Sequence, residues 1–302
     1  MQVSTLSSEE LSGALAAGQF QLRFGPFSYG IKTRLPIIRD VIAKLYCDHN
    51  CYVEDGFVDF SMHLTKDSVL LGNWRPGASI YYNGFPIQGR FPMNQVVANM
   101  EWGMNWCIHK HIFDHLILHC GALERNGRTL MVIGESGAGK STLSAALANS
   151  GWRLMSDEMA IISLETGKVQ ALARPIILKD ASIDIIKREF PKAVFGPLSP
   201  GTIKGDVAHI RPPTESVLRL NETADPGWVC FPKWSPQPCE LQVEQKDRGK
   251  SFIEAAELAF NYNVLGEQGF DALVALIKKS ECLAVTYHDI HEAISFFDDL
   301  QS

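Results

Sequence analysis

Gly134-Glu135-Ser136-Gly137-Ala138-Gly139-Lys140-Ser141 satisfies G-x-x-x-x-G-K-[ST], the Walker A pattern, at every fixed position. Residues of these types at this spacing bind polyphosphate. The three glycines let the backbone close around a phosphate and turn several N–H donors toward it. A helix beginning at Lys140 aims its positive N-terminal end at the same anion. Lys140 reaches the β- and γ-phosphates, and the Ser141 hydroxyl is placed to serve Mg²⁺.

A phosphate loop alone does not fix where the phosphate goes. Trp152-Arg153-Leu154-Met155-Ser156-Asp157-Glu158 reads as a short strand ending in two carboxylates. Laid beside the strand that feeds the loop, it opens at its C-terminal end onto the phosphate crevice. Alternation at period two sends Asp157 and Glu158 to opposite sides. One then holds metal while the other accepts a hydroxyl proton, the division of labour that phosphoryl transfer needs. The plainer alternative is a solvated turn.

Further cations are candidates for the charge that develops during transfer. Arg174, Lys204 and Arg211 are candidate substrate or phosphate contacts, whereas Lys179 reads as solvated surface. His111 and His115 stand four apart, as a helical metal pair would, but no Cys or Glu completes the set, so ordinary surface histidines are the preferred reading. Trp102, Trp106, Trp152, Trp228 and Trp234 read as packing residues.

The elements that must position these groups follow from periodicity. Apolar runs at 116–123 and 129–133 are strand candidates flanking the turn Arg125-Asn126-Gly127-Arg128, and a helix is expected over 140–149, stopped by Ser150-Gly151. Strands are expected at 152–156, 160–163, 169–172 and 175–178, then helices at 251–261 and 269–278, a strand at 282–287 and a last helix at 290–300. Strand, phosphate loop, helix, strand is an α/β signature. Upstream, 20–92 reads as short strands broken by Gly and Pro, with alternation over 57–64, another β piece at 79–82 and one helix over 37–46. Apolar residues at helical spacing over 93–115 predict a connecting helix. The expected division is a β-rich segment over 1–110 and a catalytic segment over 111–302.

Composition excludes several classes. A net charge of -6 on 302 residues argues against sequence-independent nucleic-acid binding. No apolar run approaches the roughly 20 residues that span a bilayer, so no membrane partner is expected. Residues 1–18 lack the pattern of a signal peptide. Seven cysteines without a Cys-x-x-Cys pair suit free thiols, and the expected compartment is the cytoplasm.

Leu118-His119-Cys120-Gly121, the run Gly134 through Thr142, and Gly151 through Glu158 together resemble the catalytic core of HPr kinase/phosphorylase, whose phosphate-loop fold is shared with phosphoenolpyruvate carboxykinase. The likeness is greater to the HprK-related kinase A branch. There it extends to Glu101-Trp102-Gly103-Met104-Asn105-Trp106, Ala208-His209-Ile210-Arg211-Pro212-Pro213, Phe231-Pro232-Lys233-Trp234 and Asn261-Tyr262-Asn263-Val264-Leu265-Gly266. The resemblance implies an α/β P-loop kinase domain with a mixed sheet, preceded by a small β-rich α+β domain. It implies that Gly134, Glu135, Ser136, Gly137, Ala138, Gly139, Lys140, Ser141 and Thr142 bind ATP, with Ser141 on Mg²⁺. Asp157 matches the aspartate that deprotonates an acceptor serine, Glu158 a second acidic position assisting the metal, and His119 a histidine near the transferred phosphate. The implied activity is Mg-ATP-dependent transfer of the γ-phosphate to a serine hydroxyl of a peptide or small protein. By fold analogy the chain would assemble as a homo-oligomer. The family's downstream Glu-x-Arg-Gly-type segment is not found here, so phosphorolysis and HPr as acceptor are not implied. Two other readings remain: a kinase of a small metabolite hydroxyl, and a nucleotide-sensing module that transfers nothing.

Overall fold

Phe60–Lys66 buries and exposes successive side chains in alternation, as a strand with one wet face must. The structure, a computed structural model, describes residues 1–67, 77–135 and 137–300. Arg75 and Pro76 of an expected turn lie outside the described residues. Around Phe60–Lys66 runs a sheet in the order Cys51–Val53, Phe20–Phe24, Phe27–Thr33, Phe60–Lys66, Gly77–Tyr82, Phe85–Pro86, with Phe91–Pro92 also on Gly77–Tyr82. Ser8–Ala17 and Pro36–Leu45 are helices attached to it, the first closed by a capping box between Ser7 and Glu10.

The helix expected over 93–115 is shorter. A 3₁₀ turn at Met93–Gln95 leads into Val96–His111, and Ile112 is already extended. His115 belongs to the following strand, so His111 and His115 never share a helix face. The helix buries Val97, Met100, Met104, Cys107 and Ile108, and also Glu101.

Three parallel strands, Arg128–Val132, Asp225–Trp234 and Glu281–Tyr287, form the centre of a six-stranded mixed sheet. Gly121–Arg125 pairs antiparallel with Arg128–Val132, and Arg153–Ser156 lies beyond it, antiparallel to Gly121–Arg125. The carboxylate-bearing strand is thus one place removed from the loop-feeding strand but runs in the same direction, so both end at the same edge. Two three-stranded sheets complete the architecture: Val169–Gln170, Ala160–Ser163 and His115–Leu118; and Ile176–Lys179, Gly205–Ile210 and Ser199–Thr202. The chain is a mixed α/β protein of several sheets.

The single strand expected over 116–123 is two strands in two sheets, separated at His119-Cys120. Alternation does not mark a change of sheet, because both halves are fully buried. Gly121 explains the close fit after the break: a Cβ there would stand 2.2 Å from Ser144 Oγ on the helix behind it. Among the described residues no helix is long and apolar enough to cross a membrane.

Candidate active site

The phosphate loop leaves Val132 at the edge where Trp234 and Tyr287 also end their strands. Gly137 and Gly139 adopt φ of 89° and 93°, a region that L side chains avoid. At Gly139 a Cβ would also lie 2.9 Å from Tyr287 Oη, so this position needs glycine twice over. The helix Lys140–Asn149 follows with no side-chain cap, which leaves its first amides facing the loop. Lys140 Nζ donates to the carbonyls of Gly134 at 2.6 Å and Glu135 at 2.8 Å. Ser136 lies outside the described residues.

A cleft of about 650 Å³ opens over the loop, lined by Gly137, Gly139, Lys140, Ser141 and Thr142 together with His119, Asp157, Glu158, Lys179 and Lys204. The strand Arg153–Ser156 stops before the acidic pair, which sits in a bend. Alternation therefore does not apply, and both residues line the one cleft rather than parting to opposite sides.

The two acids are held differently. Asp157 Oδ2 accepts the Ile177 amide at 2.8 Å, while Oδ1 is buried without a partner among the described residues. Burial, then the neighbouring charge of Glu158, pushes the Asp157 carboxyl up to about 7. Burial acts on Glu158 in the same direction, but Lys204, through charge and a direct hydrogen bond, outweighs it and holds that carboxyl below its ordinary value. Asn105 Nδ2 donates to the other Glu158 oxygen at 2.6 Å.

Lys204 sits at the tip of the hairpin formed by Ser199–Thr202 and Gly205–Ile210, next to the fully exposed Ile203. Lys179 ends the strand Ile176–Lys179 inside the cleft, contrary to its reading as solvated surface. Burial and then the charge of Lys204 lower its pKa. Burial, then Lys179, does the same to Lys140. His119 lies in the bend between two strands, its ring stacked on Phe260 at 5.4 Å, and burial lowers its pKa so that the neutral imidazole dominates at neutral pH.

Two of the candidate cations are placed elsewhere. Arg174 is buried behind the acids, donating to Asn105 and standing 3.7 Å from Glu101, so it supports the site from beneath. Arg211 points away from the cleft to Cys47 Sγ at 3.2 Å. The strand pairing that carries Lys204 to the cleft carries Arg211 to its far end. Among the tryptophans, Trp152 and Trp228 are core, but Trp234 is 44% exposed and lines the cleft. Asn105, Lys179 and Trp234 are thus site residues that local pattern did not mark; only the position of Lys179 and Trp234 at strand ends hinted at it.

None of the seven cysteines is disulfide-bonded. Among the described residues no group of three or more His, Cys, Asp or Glu could hold a metal by itself. Ser141, Asp157 and Glu158 nevertheless line one cleft, and a hydroxyl with carboxylates is a donor set that suits a hard cation that also takes phosphate oxygens.

No family model matches the chain, and no curated protein matches it. Among solved structures, the Hpr(Ser) kinase/phosphatase from Coxiella burnetii is similar at 14% identity and a TM-score of 0.27, over 61% of this chain and 97% of that chain. A likeness of that size carries no argument about chemistry, which rests on the residues of the cleft.

Proposed function

We propose that the chain is a Mg-ATP-dependent kinase that transfers the γ-phosphate to a serine hydroxyl of a peptide or small protein. One observation carries the reading: a carboxyl held near neutrality, Asp157, lines the same cleft as the phosphate-loop lysine. A sensor needs phosphate contacts but no base. A base poised near the working pH is what proton removal from a hydroxyl requires.

In this mechanism the amides of residues 137–142 and Lys140 hold the polyphosphate, Lys140 exchanging the carbonyls of Gly134 and Glu135 for phosphate oxygens. Ser141 and Glu158 would hold Mg²⁺, and the ion would neutralise phosphate charge. Asp157 Oδ1 takes the acceptor's proton as the acceptor oxygen bonds to phosphorus and the bond to the β-phosphate oxygen breaks, releasing ADP. Lys179 and Lys204 face the oxygens on which charge accumulates. Neutral His119 can donate a hydrogen bond to the transferred group. On this reading residues 111–302 form the catalytic domain, and residues 1–110 carry the supporting groups Glu101 and Asn105.

The test follows labelled γ-phosphate from ATP with Mg²⁺ into size-fractionated cell extract, using the wild type and Asp157→Asn. Label in a peptide or protein fraction with the wild type alone supports the proposal. Label in small molecules replaces the acceptor with a metabolite. Tight ATP binding with no labelled fraction overturns transfer altogether.

A further inference from the structure

The cleft is chemically polarised about the phosphate loop. On one side stand Asp157, Glu158, Lys179 and Lys204; on the other, the parallel strands Asp225–Trp234 and Glu281–Tyr287 overhang the loop. Register makes the overhang explicit. Val132, the last residue of the loop-feeding strand, is level with Cys230, and Cys230 with Leu283, whereas Trp234 is level with Tyr287, so both parallel strands beyond it run four residues further.

Trp234 is fastened to the loop, its amide donating to the Ala138 carbonyl at 3.3 Å, and its Cβ would be 3.3 Å from a Cβ at Gly139. Its ring lies nearly parallel to that of His288, at 18° and 6.5 Å between centroids. His288 is itself oriented by Nδ1–H donating to the Ser235 carbonyl at 2.9 Å. Tyr287 beside it is fully buried, so Trp234 offers the exposed indole of this wall. Trp234, 44% exposed at the edge of the cleft and near-parallel to a second ring, presents an aromatic surface on which a flat group can stack.

We infer that Trp234, braced by His288, is the platform on which the base of the donor nucleotide stacks, leaving the acceptor to enter from the Lys204 side. The inference rests on the phosphate-loop reading. Phosphates fixed at residues 137–142 leave the nucleoside two directions along the cleft. One carries the exposed indole of Trp234 beside the loop, and the other holds the charged groups that must meet the acceptor. Stacking is indifferent to base identity, because every base has a π-face; this wall therefore binds nucleoside triphosphates as a class, whatever their base.

The full chain and its Trp234→Ala, Trp234→Phe and Lys140→Ala variants would be titrated with Mg-ATP and with inorganic tripolyphosphate, after thermal melts confirm that each is folded. Trp234→Ala should weaken ATP binding about tenfold to a hundredfold and leave tripolyphosphate unchanged. Trp234→Phe should retain most of the affinity, and it keeps the question answerable if the alanine variant does not fold. Equal losses for both ligands in the Trp234 variants, or no loss for either, overturn the platform while leaving the phosphate loop intact. Failure of the wild type to bind either ligand overturns the phosphate-loop reading itself, and the platform with it.

Discussion

Asn105 Nδ2 donates to Glu158 Oε2 at 2.6 Å, joining a helix of the N-terminal segment to the acidic pair of the cleft. The contact belongs to a buried chain. Arg174 donates to the Asn105 side-chain oxygen and lies 3.7 Å from Glu101, and Glu101 accepts from Tyr46 Oη. A side-chain amide can donate to a carboxylate through its NH₂ and accept from a guanidinium through its oxygen at once. Asn105→Ala leaves both neighbours short of a partner, at a cost of about 1–3 kcal/mol. Thermal melts should register that loss. Phosphoryl transfer should fall as Glu158 loses its orientation, with ATP affinity unchanged.

The rate should follow the ionisation of Asp157. Its carboxyl, pushed up to about 7 by burial and by Glu158, accepts no proton while it is neutral. Turnover should therefore rise with pH through about 7 and level off above. Asp157→Asn should lose about a hundredfold to ten-thousandfold on the plateau above about pH 7, show no such rise, and so differ less from the wild type at lower pH. A pH–rate profile of both proteins checks this.

Stability should run the other way. Between the ordinary value of 3.8 and about 7, the folded protein keeps a proton on Asp157 that the unfolded chain has lost. Raising the pH through that window therefore costs stability. Asp157→Asn removes the cost, so melting should show the variant to be the more stable protein at about pH 8, with the difference vanishing near pH 4.

His49 and His209 set an opposite slope. Burial lowers both from 6.5 to about 4, so the unfolded chain binds protons first as the pH falls. Their contribution to stability is complete above 6.5 and is lost as pH drops toward 4, by up to about 3 kcal/mol each. Melts between pH 7 and 5 should fall less steeply in His49→Gln and His209→Gln than in the wild type.

The loop 134–141 and the acidic pair could be singled out in the sequence because each is contiguous, with glycines, lysine and hydroxyl within eight residues and two carboxylates side by side, and the structure brings both to one cleft. The helix at Lys140–Asn149 and the elements Arg248–Glu257, Glu267–Lys279, Glu281–Tyr287 and Ile290–Asp299 were legible for the same local reason, whereas the central strand Asp225–Trp234 was not expected. Lys179 and Trp234 were not, because their roles depend on which strands flank the loop, and register between distant strands leaves no local mark. Arg174 and Asn105 are 69 residues apart in the chain, and a lone arginine reads the same whether it meets a phosphate or a buried amide. The change of sheet at His119-Cys120 was hidden because burial on both faces erases the alternation that would reveal it.

Ile117, Met159, Ile161 and Leu172 belong to the same buried cluster as Phe20, Phe24, Ile38 and Met104. The ribosome releases the latter set first, and its covering residues emerge up to seventy positions later than Met104. Until then, the early sheet carries an uncovered apolar face. Acquisition of the final structure is thereby tied to completion of the later strands, and a chain arrested near residue 110 would be a substrate for chaperones rather than a folded intermediate.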